Sequence, residues 1–273
     1  MLKLTEEFSD SLDQAAALIR LSKHVVALAG AGLSVESGIP PFRGPGGLWT
    51  KYGEPTNLSY KEFLRDPQEW WEARFRNEDR PGDPTYELKV AVDQAKPNLG
   101  HYAMVEMEQQ GFLQYLVTQN VDNLHRVAGS QNMLEIHGNR TWLRCIDCAD
   151  RQPRDVYHFD SLPPRCTKCD GIIKMDTVMF GEPTPAELLL ACRQQAETCD
   201  CMLLVGTSGT VNPAARLPIV AKELGATLIE INPDETSLTP WCDIVLNGPS
   251  GEILPLLLNR LQNGGDDEPR SRA

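Results

Sequence analysis

The sequence predicts an α/β layered fold, and two observations carry the prediction. A continuous apolar run at Val25–Ala29 reads as a buried strand, and further apolar runs at 113–117, 202–205 and 228–231 read as strands of the same kind. Segments with helical signals separate them, as in layered proteins with a largely parallel sheet.

Taken in order, Leu12, Ala15, Ala16, Leu18 and Ile19 lie at helical spacing within 11–22, and the run from Val25 to Ala29 follows as the first strand. Residues 44–98, rich in Gly, Pro, Trp and charge, predict loops and short helices laid over the sheet. A further short apolar run spans 133–136. The spacing Thr184-Pro185-Ala186-Glu187 predicts a capped helix start with Pro at the first helical position, and Gly225 predicts the stop of a helix over 214–224. Pro218 should kink or split that helix. Residues 263–273 (NGGDDEPRSRA) have the composition of a disordered tail.

The bulk properties exclude several classes. A formal net charge of −12 over 273 residues argues against a direct nucleic-acid binder, which needs clustered Lys and Arg to displace counterions. No run approaches the ~20 apolar residues that cross a bilayer, and residues 1–14 are acidic where a signal peptide is basic and then apolar. The expectation is a soluble, cytoplasmic chain with no membrane partner.

Cys145-x2-Cys148 and Cys166-x2-Cys169 offer four thiolates in two knuckles, the donor set of tetrahedral zinc. Four sulfurs leave no coordination position for water, so one structural Zn2+ in a module over about 141–177 is expected. Cys192, Cys199, Cys201 and Cys242 show no ligand spacing.

After the first strand, Gly30-Ala31-Gly32-Leu33-Ser34 permits close backbone approach to a pyrophosphate. It departs from the GxGxxG fingerprint, with Val35 in place of the third Gly, and a tight turn without ligand also explains the glycines. Other strand ends add weight, because open α/β sheets bind ligands at the carboxyl ends of their strands. Gln119, Asn120 and Asp122 follow the second run, His137 and Gly138 the third, Gly206, Thr207 and Ser208 the fourth, and Asn232 the fifth.

Together these residues resemble a known family, the sirtuins, which are NAD-dependent protein deacylases. The stretch from Gly30 to Gly44 (GAGLSVESGIPPFRG) resembles the family's first signature and that from Thr118 to His125 (TQNVDNLH) its second. His137-Gly138, the four cysteines, Phe180-Gly181-Glu182, Gly206-Thr207-Ser208 and Asn232 follow in family order. The resemblance implies a catalytic core over 1–262: a Rossmann-like parallel sheet domain with helices on both faces and a small zinc-binding domain inserted in it. NAD and an acylated lysine side chain would meet in the cleft between them. Position by position, it places the pyrophosphate on Gly30, Ala31, Gly32 and Ser34, and the nicotinamide end under Phe42 and Arg43 with Ile39, Asn120 and Asp122. Gln119 and His137 would reach the adjoining ribose, and Gly206, Thr207, Ser208, Asn232 and Cys242 the adenosine half. Val178, Met179, Phe180 and Gly181 would pair with substrate backbone.

The implied chemistry is transfer of the acyl group to ADP-ribose with release of nicotinamide and O-acyl-ADP-ribose, using His137 as base and Asn120 and Asp122 beside it. ADP-ribosyl transfer to protein, NAD hydrolysis and a non-catalytic NAD sensor are the competing readings. The Tyr-x-x-Arg pair of the branch that prefers succinyl and malonyl groups is absent. Neutral acyl groups, acetyl first, are therefore expected, with Arg74 and Arg76 the residues open to an acidic acyl chain. Lys174-Met175 stands where many relatives have Arg-Pro.

Overall fold

A computed structural model describes residues 5–264. The chain opens with α1 (Glu6–Leu21), capped by Thr5, whose side chain accepts from the Phe8 N–H. β1 (Val25–Ala29) leads into a 3-10 turn over Ala31–Ser37. Four short helices follow: α2 (Leu48–Tyr52), α3 (Ser59–Arg65), α4 (Pro67–Glu78) and α5 (Pro84–Gln94). Then come α6 (Leu99–Gln109), β2 (Tyr115–Thr118), α7 (Leu124–Ala128) and β3 (Met133–Glu135).

The segment from β4 (Trp142–Cys145) through β5 (Arg151–Pro153) to β6 (Ile173–Met175) forms an antiparallel three-stranded sheet of its own. The main sheet resumes with α8 (Ala186–Thr198), β7 (Cys201–Val205), α9 (Arg216–Glu223), β8 (Thr227–Asn232), β9 (Ile244–Asn247) and α10 (Ser250–Asn263).

The main sheet has six strands in the order β3-β2-β1-β7-β8-β9, every neighbouring pair parallel. β1 and β7 are buried end to end because helices cover both faces. Val25, Ala27, Ala29, Leu203 and Ile231 pack with α1, α6 and α10, and the alternate residues Val26, Leu28, Met202 and Leu204 pack with α8 and α9. The chain reverses direction of travel between β1 and β7, so the crevice at their carboxyl ends is where such sheets bind ligands.

Several expectations are adjusted. Pro218 neither kinks nor splits α9: the helix starts at Arg216, so Pro218 occupies the first turn, where an N–H has no intrahelical partner to lose. Thr184 does not cap α8. Pro185 is extended (ψ 130°) and is itself the residue before the helix, with no side-chain capping bond. Gly225 does terminate α9, at φ 95°. Of the expected tail, Asn263 closes α10 and 265–273 lie outside the described residues. No helix among the described residues is long and apolar enough to cross a membrane.

Candidate active site

The turn after β1 is fixed by backbone meeting backbone. A Cβ on Gly30 would lie 2.7 Å from the Gly206 carbonyl oxygen, and one on Gly32 would lie 2.7 Å from Gly206 Cα. The Gly32 N–H donates to that oxygen at 2.8 Å, and Gly206 itself sits at φ 57°. These glycines are required by the crossing of two loops at the switch point as well as by any ligand.

Behind this crossing runs a buried polar chain. Asn120 Nδ2 donates to the Gly30 carbonyl (3.0 Å) and to Ser34 Oγ (3.2 Å), and Ser34 Oγ donates to Asp122 Oδ2 (2.7 Å). Asp122 Oδ1 accepts from the Leu124 N–H at 2.9 Å. Burial pushes the Asp122 carboxyl above the usual carboxylate range, against these hydrogen bonds.

His137 follows β3, and its Nδ1 lies 3.1 Å from the Gln119 carbonyl oxygen. A carbonyl only accepts, so Nδ1 carries the proton and Nε2 presents a lone pair. Burial pushes the imidazole below its ordinary value, which keeps it neutral near pH 7. The Gln119 side chain donates to Thr207 Oγ1 at 2.8 Å, and the His137 carbonyl accepts from the Val178 N–H at 2.8 Å. The imidazole is thus held from the end of β2 through its ring and by the far wall through the residue's backbone.

A cleft of about 1620 Å³ opens at the carboxyl ends of the strands. It brings together Gly30, Ala31, Gly32, Phe42, Arg43, Gln119, Asn120, His137, Val178, Met179, Phe180, Gly181, Gly206, Thr207, Ser208 and Asn232. Ile39, Ser34 and Asp122 do not line it; all three are buried behind the wall. Cys242 also lies off the cleft, its thiol donating to the Leu238 carbonyl at 3.3 Å while it packs with the core under α8 and α9.

Residues that strand-end reasoning passed over include Glu36, Asp234, Pro249 and Ser250. Ser250 opens α10 with a buried hydroxyl that has no hydrogen-bond partner. The signal was present: β9 ends in Asn247-Gly248-Pro249-Ser250, a strand end of the same kind as the others.

The opposite wall is aromatic and charged. Phe42 stacks on Trp49 (4.7 Å), which meets Phe180 edge-on (5.3 Å), and the Arg43 guanidinium sits over Trp49 at 4.5 Å while pairing with Glu54. Arg74 lines the cleft, whereas Arg76 is exposed and paired with Glu69. Burial pushes Arg74 down to about 10. Its Nε lies 2.9 Å from Glu78 Oε1, off the axis a hydrogen bond needs, and Glu78 Oε2 is taken by Arg154 at 2.6 Å.

Around Val178–Gly181 the backbone is partly engaged. The Phe180 carbonyl accepts from the Tyr60 N–H (3.1 Å), and the Met179 N–H donates to Glu182 Oε2 (2.8 Å).

The four cysteine sulfurs lie within 4.8 Å of one another, with Cys145 to Cys169 at 3.5 Å and Cys148 to Cys166 at 3.7 Å. Four sulfurs on zinc at ~2.3 Å in a tetrahedron stand about 3.8 Å apart, so the set fits the metal. Ala149 (φ 58°) and Asp170 (φ 60°) each follow the second cysteine of a pair and turn the knuckle. The cluster lies beyond β4 and does not line the cleft.

The model of the Sir2 family matches residues 30–213. The chain belongs to that family. It is 42% identical over 251 residues to NAD-dependent protein deacylase 2 of Pyrobaculum aerophilum, covering 90% of this chain and 94% of that protein. Among solved Sir2 structures, it superposes on a Sir2 homolog–NAD complex with a TM-score of 0.75 at 37% identity, over 92% of this chain and 94% of that one. A Sir2 protein bound to a myristoylated histone peptide matches with a TM-score of 0.66 at 32% identity, over 93% and 97%. The Sir2 assignment accords with the six-stranded parallel sheet and with a cysteine cluster built for one structural zinc ion.

Proposed function

We propose that the protein is an NAD-dependent protein-lysine deacylase, deacetylation first, that transfers the acyl group to ADP-ribose and releases nicotinamide and O-acyl-ADP-ribose. The observation that carries the reading is His137, neutral, with Nδ1 held by the Gln119 carbonyl and Nε2 left as a base in the cleft. The relatives named as deacylases and the Sir2 homologues solved with NAD and with an acylated peptide support it.

NAD supplies an anomeric carbon whose bond to nicotinamide breaks as the acyl oxygen takes its place. The protein's share is to position and to move a proton. Gly30, Ala31 and Gly32 offer close backbone approach to the pyrophosphate, and Ser208, Asn232 and Ser250 line the adenosine end. Asn120 and Asp122, tied through Ser34, hold the floor near the nicotinamide in one arrangement. His137 Nε2 accepts the proton of a ribose hydroxyl, which then attacks the acyl carbon; the acyl carbon–nitrogen bond breaks with a proton going to the departing lysine amine, and one water completes the turnover. Zinc holds the three-stranded sheet and takes no part in these steps.

The test uses acetyl-, butyryl- and succinyl-lysine peptides with NAD, following free lysine and nicotinamide. Product with the acetyl peptide that His137→Ala reduces about 100-fold or more supports deacylation. Label from NAD appearing on protein, undiminished in His137→Ala, overturns it in favour of ADP-ribosyl transfer. The place of Arg74 in the cleft lining is the reason succinyl-lysine belongs in the panel. Eight free cysteines support a reducing, cytoplasmic location.

A further inference from the structure

Lys174 is fully buried, its side chain 0% exposed, with no catalytic task assigned to it. An ammonium without water needs every proton bonded, and this one has three acceptors: the Met175 carbonyl (2.8 Å), the Thr177 carbonyl (2.8 Å) and Glu182 Oε2 (2.9 Å). The last two acceptors lie on either side of Val178–Gly181. Glu182, itself 4% exposed at the side chain, has both oxygens engaged. Oε2 also accepts the Met179 N–H (2.8 Å), and Oε1 accepts from Arg144 Nη2 (2.6 Å), anchoring the loop to β4. The Glu182 N–H closes back on the Met179 carbonyl at 3.0 Å.

The result is a loop pinned at its base, where the segment has no sheet of its own. Residues 177–182 belong to no assigned strand and turn at Phe180–Gly181, so their course along the cleft is not set by ladder hydrogen bonds. What sets it is the Lys174–Glu182 pair inside, the Tyr60 N–H on Phe180, and Gly181 against Asn57, where a Cβ would fall 2.1 Å from the carbonyl oxygen. Among the described residues the Val178 and Gly181 carbonyls and the Phe180 and Gly181 N–H groups have no partner, two acceptors and two donors left on a segment that lines the cleft.

We infer that Lys174 and Glu182 are positioning residues for the acyl-lysine peptide: their buried ion pair shapes the Thr177–Glu182 loop so that its free backbone acceptors and donors meet the peptide backbone. Because Val178 also donates to the His137 carbonyl, the same pair sets the height of the bound peptide above the base. The inference rests on reading Val178–Gly181 as the peptide-binding segment.

Two variants test it in the zinc-loaded full chain, Lys174→Met and Glu182→Gln. The second keeps the side-chain volume and an oxygen for the Met179 N–H, so it serves where the first does not fold. The expected result is a KM for acetyl-peptide raised about tenfold or more with KM for NAD within about twofold. Peptide KM unchanged in both variants overturns the inference. Peptide and NAD constants worsening together, in step with a falling Tm, overturn it too, since that marks a general packing role. A peptide carrying a photoreactive residue next to the acetyl-lysine, crosslinked to the wild-type protein, tests the underlying reading separately. Crosslinks within 177–182 uphold the segment; crosslinks confined to other walls refute the segment reading itself.

Discussion

At the scale of single residues, the site is governed by what each side chain is allowed to bond. His137 has its tautomer chosen by the Gln119 carbonyl, and burial lowers its pKa from the ordinary 6.5. The neutral form is the base, so deacylation should rise with pH along an acid limb whose apparent pKa lies below 6.5 and then level off; kcat/KM measured from pH 5 to 8 checks this. A limb centred above that value would contradict the assignment. Gly32→Ala places a methyl 2.7 Å from Gly206 Cα, and we expect a loss of about 1–3 kcal/mol in stability with a raised KM for NAD, read by denaturant melts and kinetics. His137 was legible in the sequence because it ends a strand run. Ser250 was passed over because β9 is only four residues long, although the polar residues after it make a strand end of the same kind. The glycines were legible as a tight turn, but the Gly206 crossing that requires them joins residues about 175 apart, beyond the reach of local pattern.

Elements show where local chemistry decides and where it does not. Asn98 caps α6, accepting from the Gly100 and His101 N–H groups while its amide donates to the Leu33 carbonyl and Ser37 Oγ. Thr184, which has the capping spacing on paper, makes no such bond. Asn98→Ala should therefore cost about 1–2 kcal/mol and Thr184→Ala less than about 0.5 kcal/mol, measured as shifts in urea midpoint. The three-stranded sheet depends on metal in the same local way. Its strands have three or four residues and alternate polar with apolar too briefly to be read from sequence, whereas the cysteine knuckles that close it are plain there. Chelating the zinc should release protection of backbone amides across 141–177 in hydrogen exchange and abolish activity; full activity in metal-free protein would refute the structural role. The buried strands β1 and β7 were legible for the opposite reason, since all five residues of each are apolar and admit few other readings.

For the whole molecule, acid stability should be set in part by two histidines far from any solvent. His101 and His125 are buried with ring centroids 4.9 Å apart, and burial pushes them down to about 4 and about 3. Both fold neutral and unfold to ordinary values near 6.5, so their contribution is complete above pH 6.5 and is lost as pH falls towards 4 and then 3. Each kcal/mol lost should lower Tm by roughly 2–4 °C in a chain of this size, and His125→Asn should flatten the slope between pH 6.5 and 4 in a thermal melt series. The overall architecture was legible because buried strands, helix spacing and cysteine pairs all point one way. The course of the Thr177–Glu182 loop was not, since it is set by turns and by ion pairs such as Arg144–Glu182 that no periodicity announces.

The loop crossing at Gly30, Gly32 and Gly206 divides the cleft into a part that tolerates change and a part that does not. At the crossing the surface is main chain pressed on main chain, and a carbon added to any of these three glycines collides with it. On the side of α2, α4 and α5 the surface is built from side chains such as Tyr52, Thr85 and Leu88, with Arg74 held there by Glu78. Selection for a new acyl chain therefore has only one wall on which to act, and libraries aimed at altered specificity should be confined to it.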